Sequence, residues 1–388
     1  MAARRPPNRK ALIRSAAEGL FRDHGYHDVS VAQVAEAVGI TAPALYRHYR
    51  NKQDLLFDVV LNGVDTIDAI VRDAPDLDGF LRSTAVLNLQ QRGIGSIWLR
   101  ESRHLDDDQR AVTRARAREM LGHVTGLIAE ARPGLHEADA TLVGVAALGV
   151  FTVRSGSRLV LSRRRYERLL HQLATAVVQA ELSAVRPGAM AWSPTAAPGN
   201  AAGVRLPRRD QLLAAAIRLF DERGFQAVGL GDIAEAAGIV RTAAYRYFGN
   251  KTELLVAAST IAGDRMRQST TEALARATEP REALRLLLHA HITVTMEQAR
   301  LVGILANEGD QLPAKERRQY QRFQNDNMDI WLQALDHALP GHDAAEAKAV
   351  VQIVQAMAYF VIRSGSFAEL PDLQDRLTEL GMAMLQGW

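Results

Sequence analysis

Apolar residues recur three and four positions apart along most of the stretch from Arg9 to Ala184, as in Leu12, Ala16 and Leu20, or Leu55 and Val59, then Ile67 and Ile70. That is the period of helices with one buried face. Alternating strand patterns are absent. The helical pattern breaks over 186–207, where four prolines, three glycines and many small residues read as a linker. Fully extended, that segment spans up to about 70 Å. Beyond it the pattern resumes in familiar letters. The 49 residues Arg9–Phe57 recur without a gap at Arg208–Val256, a shift of 199, with 19 positions identical. So long a period suits a duplicated multi-element unit rather than a solenoid repeat. A second echo, Val153–Ser157 with Ile362–Ser366, closes each unit, while the middle of the units has drifted apart.

Within the repeated segment the spacing predicts four short helices. The first covers about 9–23 and closes at Gly25, since glycine tolerates the left-handed conformation. Ser30 is a natural N-cap for the second, which buries Val31, Val34, Ala35 and Val38. Gly39 makes the turn, Ile40 plugs the core, and Thr41 caps a short third helix with Pro43 in its first turn. Asn51 caps the fourth, with Asp54 three residues on; the second copy has Asn250 and Glu253, a capping-box pattern.

Composition narrows the class. The chain has 388 residues, 47% hydrophobic and 23% charged, ordinary for a globular protein of several domains. Without cysteine it has no disulfide, thiol nucleophile or cysteine-zinc site, which suits a reducing cytoplasm. No uninterrupted apolar run reaches the roughly 18 residues of a membrane span. The net charge of +3 is uneven: residues 1–57 carry +4 and 205–256 carry +2, leaving −3 elsewhere. Positive charge therefore gathers on the repeated segment, as expected for a nucleic-acid partner.

Two short helices joined by a glycine turn, the second bearing tyrosine and basic residues, have the layout of a helix-turn-helix. Its second helix enters the major groove and presents its N-terminal residues to base edges. The string Gly39-Ile-Thr-Ala-Pro-Ala-Leu-Tyr-Arg-His-Tyr-Arg-Asn-Lys-Gln-Asp-Leu-Leu56 closely resembles the TetR family of bacterial transcriptional regulators, and Gly238–Leu255 resembles it less completely. The resemblance implies an all-α protein of two tandem units. Each has an N-terminal helix-turn-helix three-helix domain (1–50 and 208–249) and a C-terminal helical regulatory bundle (51–185 and 250–388), with the linker 186–207 between them. It further implies a sequence-specific regulator bound to a double-stranded DNA operator, more commonly a repressor, released by a small-molecule effector. The two halves would pair within one chain as a pseudo-dimer, a further homodimer remaining open, with readers about 34–36 Å apart to meet successive major grooves.

The DNA-binding candidates are Ser30, Thr41, Ala42, Pro43, Tyr46, Arg47, His48 and Lys52, then Arg241, Thr242, Tyr245, Arg246, Tyr247 and Lys251. Tyr46 and Tyr245 either reach phosphate or base edges or pack half-buried; Arg47 and Arg246 either contact DNA or are solvated. His48 and Tyr247 take the family's usual phosphate position, while Tyr49 and Phe248 belong to the core. Lys52 and Lys251 each lie in a helix first turn, where the macrodipole disfavours a cation, which points to a nearby phosphate. On that expectation Lys52→Ala lowers the salt slope of binding by about 0.9. Arg4, Arg5, Arg9 and Lys10, and Arg205, Arg208 and Arg209, are arms that either reach the flanking backbone or are solvated chain ends. The second copy replaces Ser30, Thr41, Leu45 and Arg50 with Gly229, Val240, Ala244 and Gly249 and gains Arg241 and Thr242, so the two readers are expected to prefer unlike half-sites.

For the effector, Trp98, Glu101, Arg154, Glu308 and Arg363 are the candidates; Arg154 and Arg363 either bind an anionic ligand or pair with Glu101 and Glu308. The segment from Lys52 to about Asn62 is the expected transmitter. No P-loop, dinucleotide fingerprint or HExxH is present, and His289 and His291 lie about 200° apart on a helix, so neither a metal, a cofactor nor catalysis is expected. The competing reading is a helical sensor or scaffold of the same fold in which one or both readers are inactive.

Overall fold

The computed structural model describes residues 9–90, 100–153, 161–183 and 206–388. Contacts divide the chain into two compact units, Met1–Arg158 and Leu159–Trp388. Among the described residues every regular element is helical.

In the first unit α1 (Arg9–His24) buries Ile13, Ala17 and Phe21, one stripe at four-residue spacing. It runs one residue past the expected 23 and closes, as expected, at Gly25 with φ +86°. Then come α2 (Val31–Ala37), α3 (Ala42–Leu45) and α4 (Lys52–Asp73). Ser30 caps α2 in a full capping box: its Oγ accepts from Gln33 N at 3.2 Å and Gln33 Oε1 accepts from Ser30 N at 2.7 Å. The turn to α3 is a Schellman closure. Gly39 adopts φ +65°, Ile40 N donates to Ala35 O at 2.9 Å, and Ile40 packs against the core. Leu45, Tyr49, Leu55 and Leu56 complete that core, joined by Leu105 from beyond the three-helix domain. The regulatory part follows as α5 (Leu77–Gln90), a 3-10 turn (Ser102–His104), α6 (Asp107–Ala131) and α7 (Glu137–Val150), with α4 packed along α6 and α6 against α7.

The second unit begins with α8 (Arg163–Gln179), the helix that ends the first half of the sequence. It buries Tyr166, Leu169, Leu170, Leu173, Ala174, Val177 and Val178 on one face. The second reader follows: α9 (Arg208–Arg223), α10 (Leu230–Ala236), α11 (Arg241–Ala244) and α12 (Lys251–Arg276). It repeats the turn, with Gly238 at φ +63° and Ile239 N on Ala234 O at 2.9 Å. Its bundle is α13 (Pro280–Glu297), α14 (Ala299–Glu308), α15 (Ala314–Ala338), α16 (Ala344–Ser364) and α17 (Leu373–Gln386).

The apolar face of α8 packs against α17, and also touches α16. Arg165 fixes the junction, its Nε donating to Glu346 Oε1 at 2.8 Å, while Ser183 N donates to Glu379 Oε2 at 3.0 Å. The five leucine and valine side chains buried on this face contribute about 1.5–3 kcal/mol each. This packing is why α8 groups with the second unit, whereas the sequence reading places the boundary at the linker. By length and composition α16 is apolar enough to cross a membrane. It packs instead against α13, α15 and α17, burying Val350, Val351, Val354, Met357 and Ala358.

Candidate nucleic-acid interface

Each recognition helix is one turn long and held from behind. In α3 only Leu45 faces fully inward, as Ala244 does in α11. The next buried anchor is Tyr49, matched by Phe248. Tyr49 donates to Asp58 Oδ2 at 2.6 Å, and burial with that carboxylate pushes its pKa up. Lys10 and Arg14 lie 3.7 and 3.6 Å from Asp58. Lys10 also sits over the Tyr49 ring, as Arg209 sits over Phe248 with its Cζ 4.9 Å from the centroid. Two of the basic-arm residues are thus spent on holding the recognition helix against the core.

What remains outward is a short polar and aromatic face. Thr41, Pro43, Tyr46, Arg47 and His48 are exposed in the first reader, with Ala42 half-buried. Arg241, Thr242, Tyr245, Arg246 and Tyr247 are exposed in the second. Tyr46 is 51% accessible and Tyr245 49%, far above what packing residues of that size show. Thr41 occupies the N-cap position, but its hydroxyl makes no cap bond, which leaves it available to a ligand. Ser30 differs, because its hydroxyl is engaged on both sides by Gln33.

The two first-turn lysines do not need a phosphate to explain them. Lys52 Nζ donates to His27 O at 3.3 Å and lies 4.3 Å from the Tyr26 ring centroid. Lys251 Nζ donates to Phe225 O at 2.7 Å and Gln226 O at 3.3 Å, and lies 4.4 Å from the Phe225 ring. Burial pulls both amines below their ordinary pKa, while Asp28 and Glu101 on one side, and Glu308 on the other, oppose it. The macrodipole argument treated each helix as isolated; here the loop after the first helix turns its carbonyls onto the cation. Phosphate contact by Lys52 and Lys251 therefore loses the reasoning that led to it.

The effector candidates are relocated in the same way. Trp98 and Arg154 lie outside the described residues. Glu101 is buried, pairs with Arg100 at 2.5 Å and lies 3.6 Å from His104. Arg100 in turn donates to the C-terminal carbonyls of α1, at Phe21 and, at 3.0 Å, Arg22, satisfying groups a helix end leaves orphaned. Glu308 accepts from Phe225 N at 3.4 Å. Arg363 pairs not with Glu308 but with Asp221 near the end of α9, its two terminal nitrogens each 3.0 Å from a carboxylate oxygen. Glu101, Glu308 and Arg363 thus each take part in a joint between a bundle and its own reader. Sequence reasoning missed Asp221, whose counterpart in the first copy is Arg22, a mismatch that was the available signal.

Inside the second bundle, polar atoms are buried without partners among the described residues: His291 Nδ1, Gln298 Oε1 and Gln355 Nε2. His291 stands edge-on to Trp331, and burial pulls its pKa down to about 4. A separate open groove of about 360 Å³ lies between α8 and α17, lined by His171, Thr175, Ala176, Gln179 and Gly387 among others.

Two stretches of the chain, residues 13–59 and 212–258, match the family described as bacterial regulatory proteins, tetR family. Similar proteins include the HTH-type transcriptional activator FasR of Mycolicibacterium smegmatis, 38% identical over 95 residues, covering 24% of this chain and 43% of that protein. The tetracycline repressor protein class C of Escherichia coli is 38% identical over 80 residues, 20% of this chain and 36% of that one. These matches span less than half the length of either relative. Among solved structures, the TetR family regulator PfmR of Thermus thermophilus is 22% identical, covers 48% of this chain and 98% of its own, and superposes with a TM-score of 0.41. The regulator KstR2 of Mycobacterium tuberculosis is 22% identical, with coverages of 47% and 96% and a TM-score of 0.38.

Proposed function

We propose that this chain, in which two segments match the family described as bacterial regulatory proteins, tetR family, is a cytoplasmic, sequence-specific transcriptional regulator of that family that grips one operator with both readers. The observation that carries the reading is the duplicated outward face, Thr41, Tyr46, Arg47 and His48 in one copy and Arg241, Tyr245, Arg246 and Tyr247 in the other. Exposed tyrosines beside arginines on a helix-turn-helix are the donors that position and read a duplex. The packing of α8 on α17 supports pairing of the two halves within one chain, since it joins the last helix of each.

Regulation would run through the joints. A ligand shifts DNA binding only by preferring one arrangement of bundle and reader over the other. Arg100 on the end of α1 and Arg363 on Asp221 are where such a preference reaches a reader. Unpartnered His291, Gln298 and Gln355 favour a small-molecule effector with hydrogen-bonding groups in the second bundle. Repression relieved by that effector is the reading we adopt; among the similar proteins one is named an activator and another a repressor.

Light scattering of the purified chain, free and with DNA selected from a random pool, tests this directly. One chain per duplex, on a site with two half-sites about one helical turn apart, is expected. Two chains per duplex would overturn the pseudo-dimer and make the second half a partner or sensor. No enriched sequence at all would overturn DNA regulation itself.

A further inference from the structure

We propose that Arg241 reads a guanine in the half-site gripped by the second reader, and that the first reader has no equivalent. The inference rests on the DNA-binding reading above and deepens it.

Arg241 is the first residue of α11 and is exposed. Tyr245, four residues on and 49% accessible, shares its face. Among the described residues the guanidinium has neither an ion pair nor a hydrogen-bond partner, so all five of its donors are unspent. It is nevertheless not loose. It lies in a notch against Gly231, near the start of α10, where an added Cβ would sit 3.4 Å from both Cζ and Nε and 3.6 Å from Cδ. The missing side chain at 231 leaves the guanidinium a resting surface between the two helices of the motif. The first reader has alanine at both matching positions, Ala32 and Ala42, so it has neither the cation nor the notch.

Position matters because the N-terminal residues of a recognition helix are those that reach base edges. An arginine there matches guanine O6 and N7 with two parallel donors, whereas alanine and proline offer only apolar contact to a thymine methyl. Arg47 and Arg246 occur in both readers and cannot tell the half-sites apart. Arg50, the extra cation of the first reader, has its Nε on Asp54 at 2.8 Å. Of the outward positions that differ between the readers (Thr41 and Val240, Pro43 and Thr242, His48 and Tyr247 among them), Arg241 is the one that adds a free guanidinium at the start of the helix, which makes it the specificity residue of this proposal.

The test is selection from random DNA followed by competition binding, with wild type, Arg241→Ala and Arg241→Gln. Wild type is expected to fix a guanine in one half-site only. Replacing that guanine should cost wild type about 5- to 150-fold in affinity and cost Arg241→Ala nothing. Arg241→Gln should move the preference at that position toward adenine, because a glutamine amide matches adenine N6 and N7. Equal weakening of Arg241→Ala on every sequence, with the salt slope lowered by about 0.9, would mark a phosphate contact and overturn the inference. So would guanine fixed symmetrically in both halves. A wild-type chain that enriches nothing overturns the DNA-binding reading, and this one with it.

Discussion

Lys251 offers the sharpest separation between a DNA contact and an internal strut. Substituting methionine keeps the length and apolar stem but deletes the charge. The ammonium now donates to Phe225 O at 2.7 Å and Gln226 O at 3.3 Å, with the Phe225 ring 4.4 Å away. A charge-assisted hydrogen bond contributes about 1.5–3 kcal/mol net and the cation–π contact about 0.5–1 kcal/mol. Buried Glu308 also loses the positive charge that opposes it. Against this, the variant no longer desolvates an amine, the effect that pulls the Lys251 pKa down. The balance is a loss of about 2–3 kcal/mol, which lowers the thermal midpoint of a unit this size by about 5–10 °C. Circular dichroism melting of wild type and Lys251→Met reads that shift. DNA titrations between 50 and 200 mM salt supply the contrast, since each phosphate contact contributes about 0.9 to the slope. An unchanged slope with a lowered midpoint is expected. An unchanged midpoint with a slope reduced by about 0.9 would refute the strut and restore the phosphate.

Tyr46→Phe removes one exposed hydroxyl and is expected to weaken operator binding about 5-fold, the equivalent of about 1 kcal/mol for a single hydrogen bond, while the melting midpoint stays put; the reverse pattern would place the ring in the core. Asp221→Asn leaves Arg363 without its carboxylate. Because that pair is only partly buried, with Arg363 26% and Asp221 11% accessible, the cost should be about 1–3 kcal/mol, below that of a fully buried pair. Faster hydrogen exchange confined to the end of α9 would show it, and unchanged protection there would contradict it. His104 supplies a pH dependence: burial, with Arg103, His27, Lys52 and Arg100 nearby, pulls its pKa down to about 3. The unfolded chain takes up this proton below about 6.5 and the folded chain does not until near 3, so stability falls as pH falls through that window by about 1.4 kcal/mol per pH unit. His104→Gln should flatten that limb in urea titrations at pH 7 and pH 5; equal slopes for both proteins would exclude His104 as the cause.

The parts of this protein that were legible from letters alone are those whose physics is local. Gly25, Gly39, Gly224 and Gly238 adopt positive φ where the turns need it, and each is announced within a few residues of the motif it closes. Tyr49 and Phe248 fall inward because a one-turn helix has a single buried face. The joints were not legible, because their partners are far apart in sequence. Glu308 meets Phe225 across 83 residues, and Arg363 meets Asp221 across 142. Even at shorter range, the internal partners of Lys52 and Lys251 were not legible, since a rule derived for isolated helices assigns an uncompensated cation to an outside anion. In the folded unit the anion-like partner is internal: carbonyl oxygens of the loop that follows the first helix, with an aromatic ring beneath. Both copies keep that arrangement, Lys52 over Tyr26 and Lys251 over Phe225, although the acids and arginines around it have diverged. A lysine that holds the reader's loop to its fourth helix does the same work in both copies, whatever sequence each reads. Residues free to differ between the copies, such as Ala42 and Arg241, are the ones through which the two half-sites can come apart.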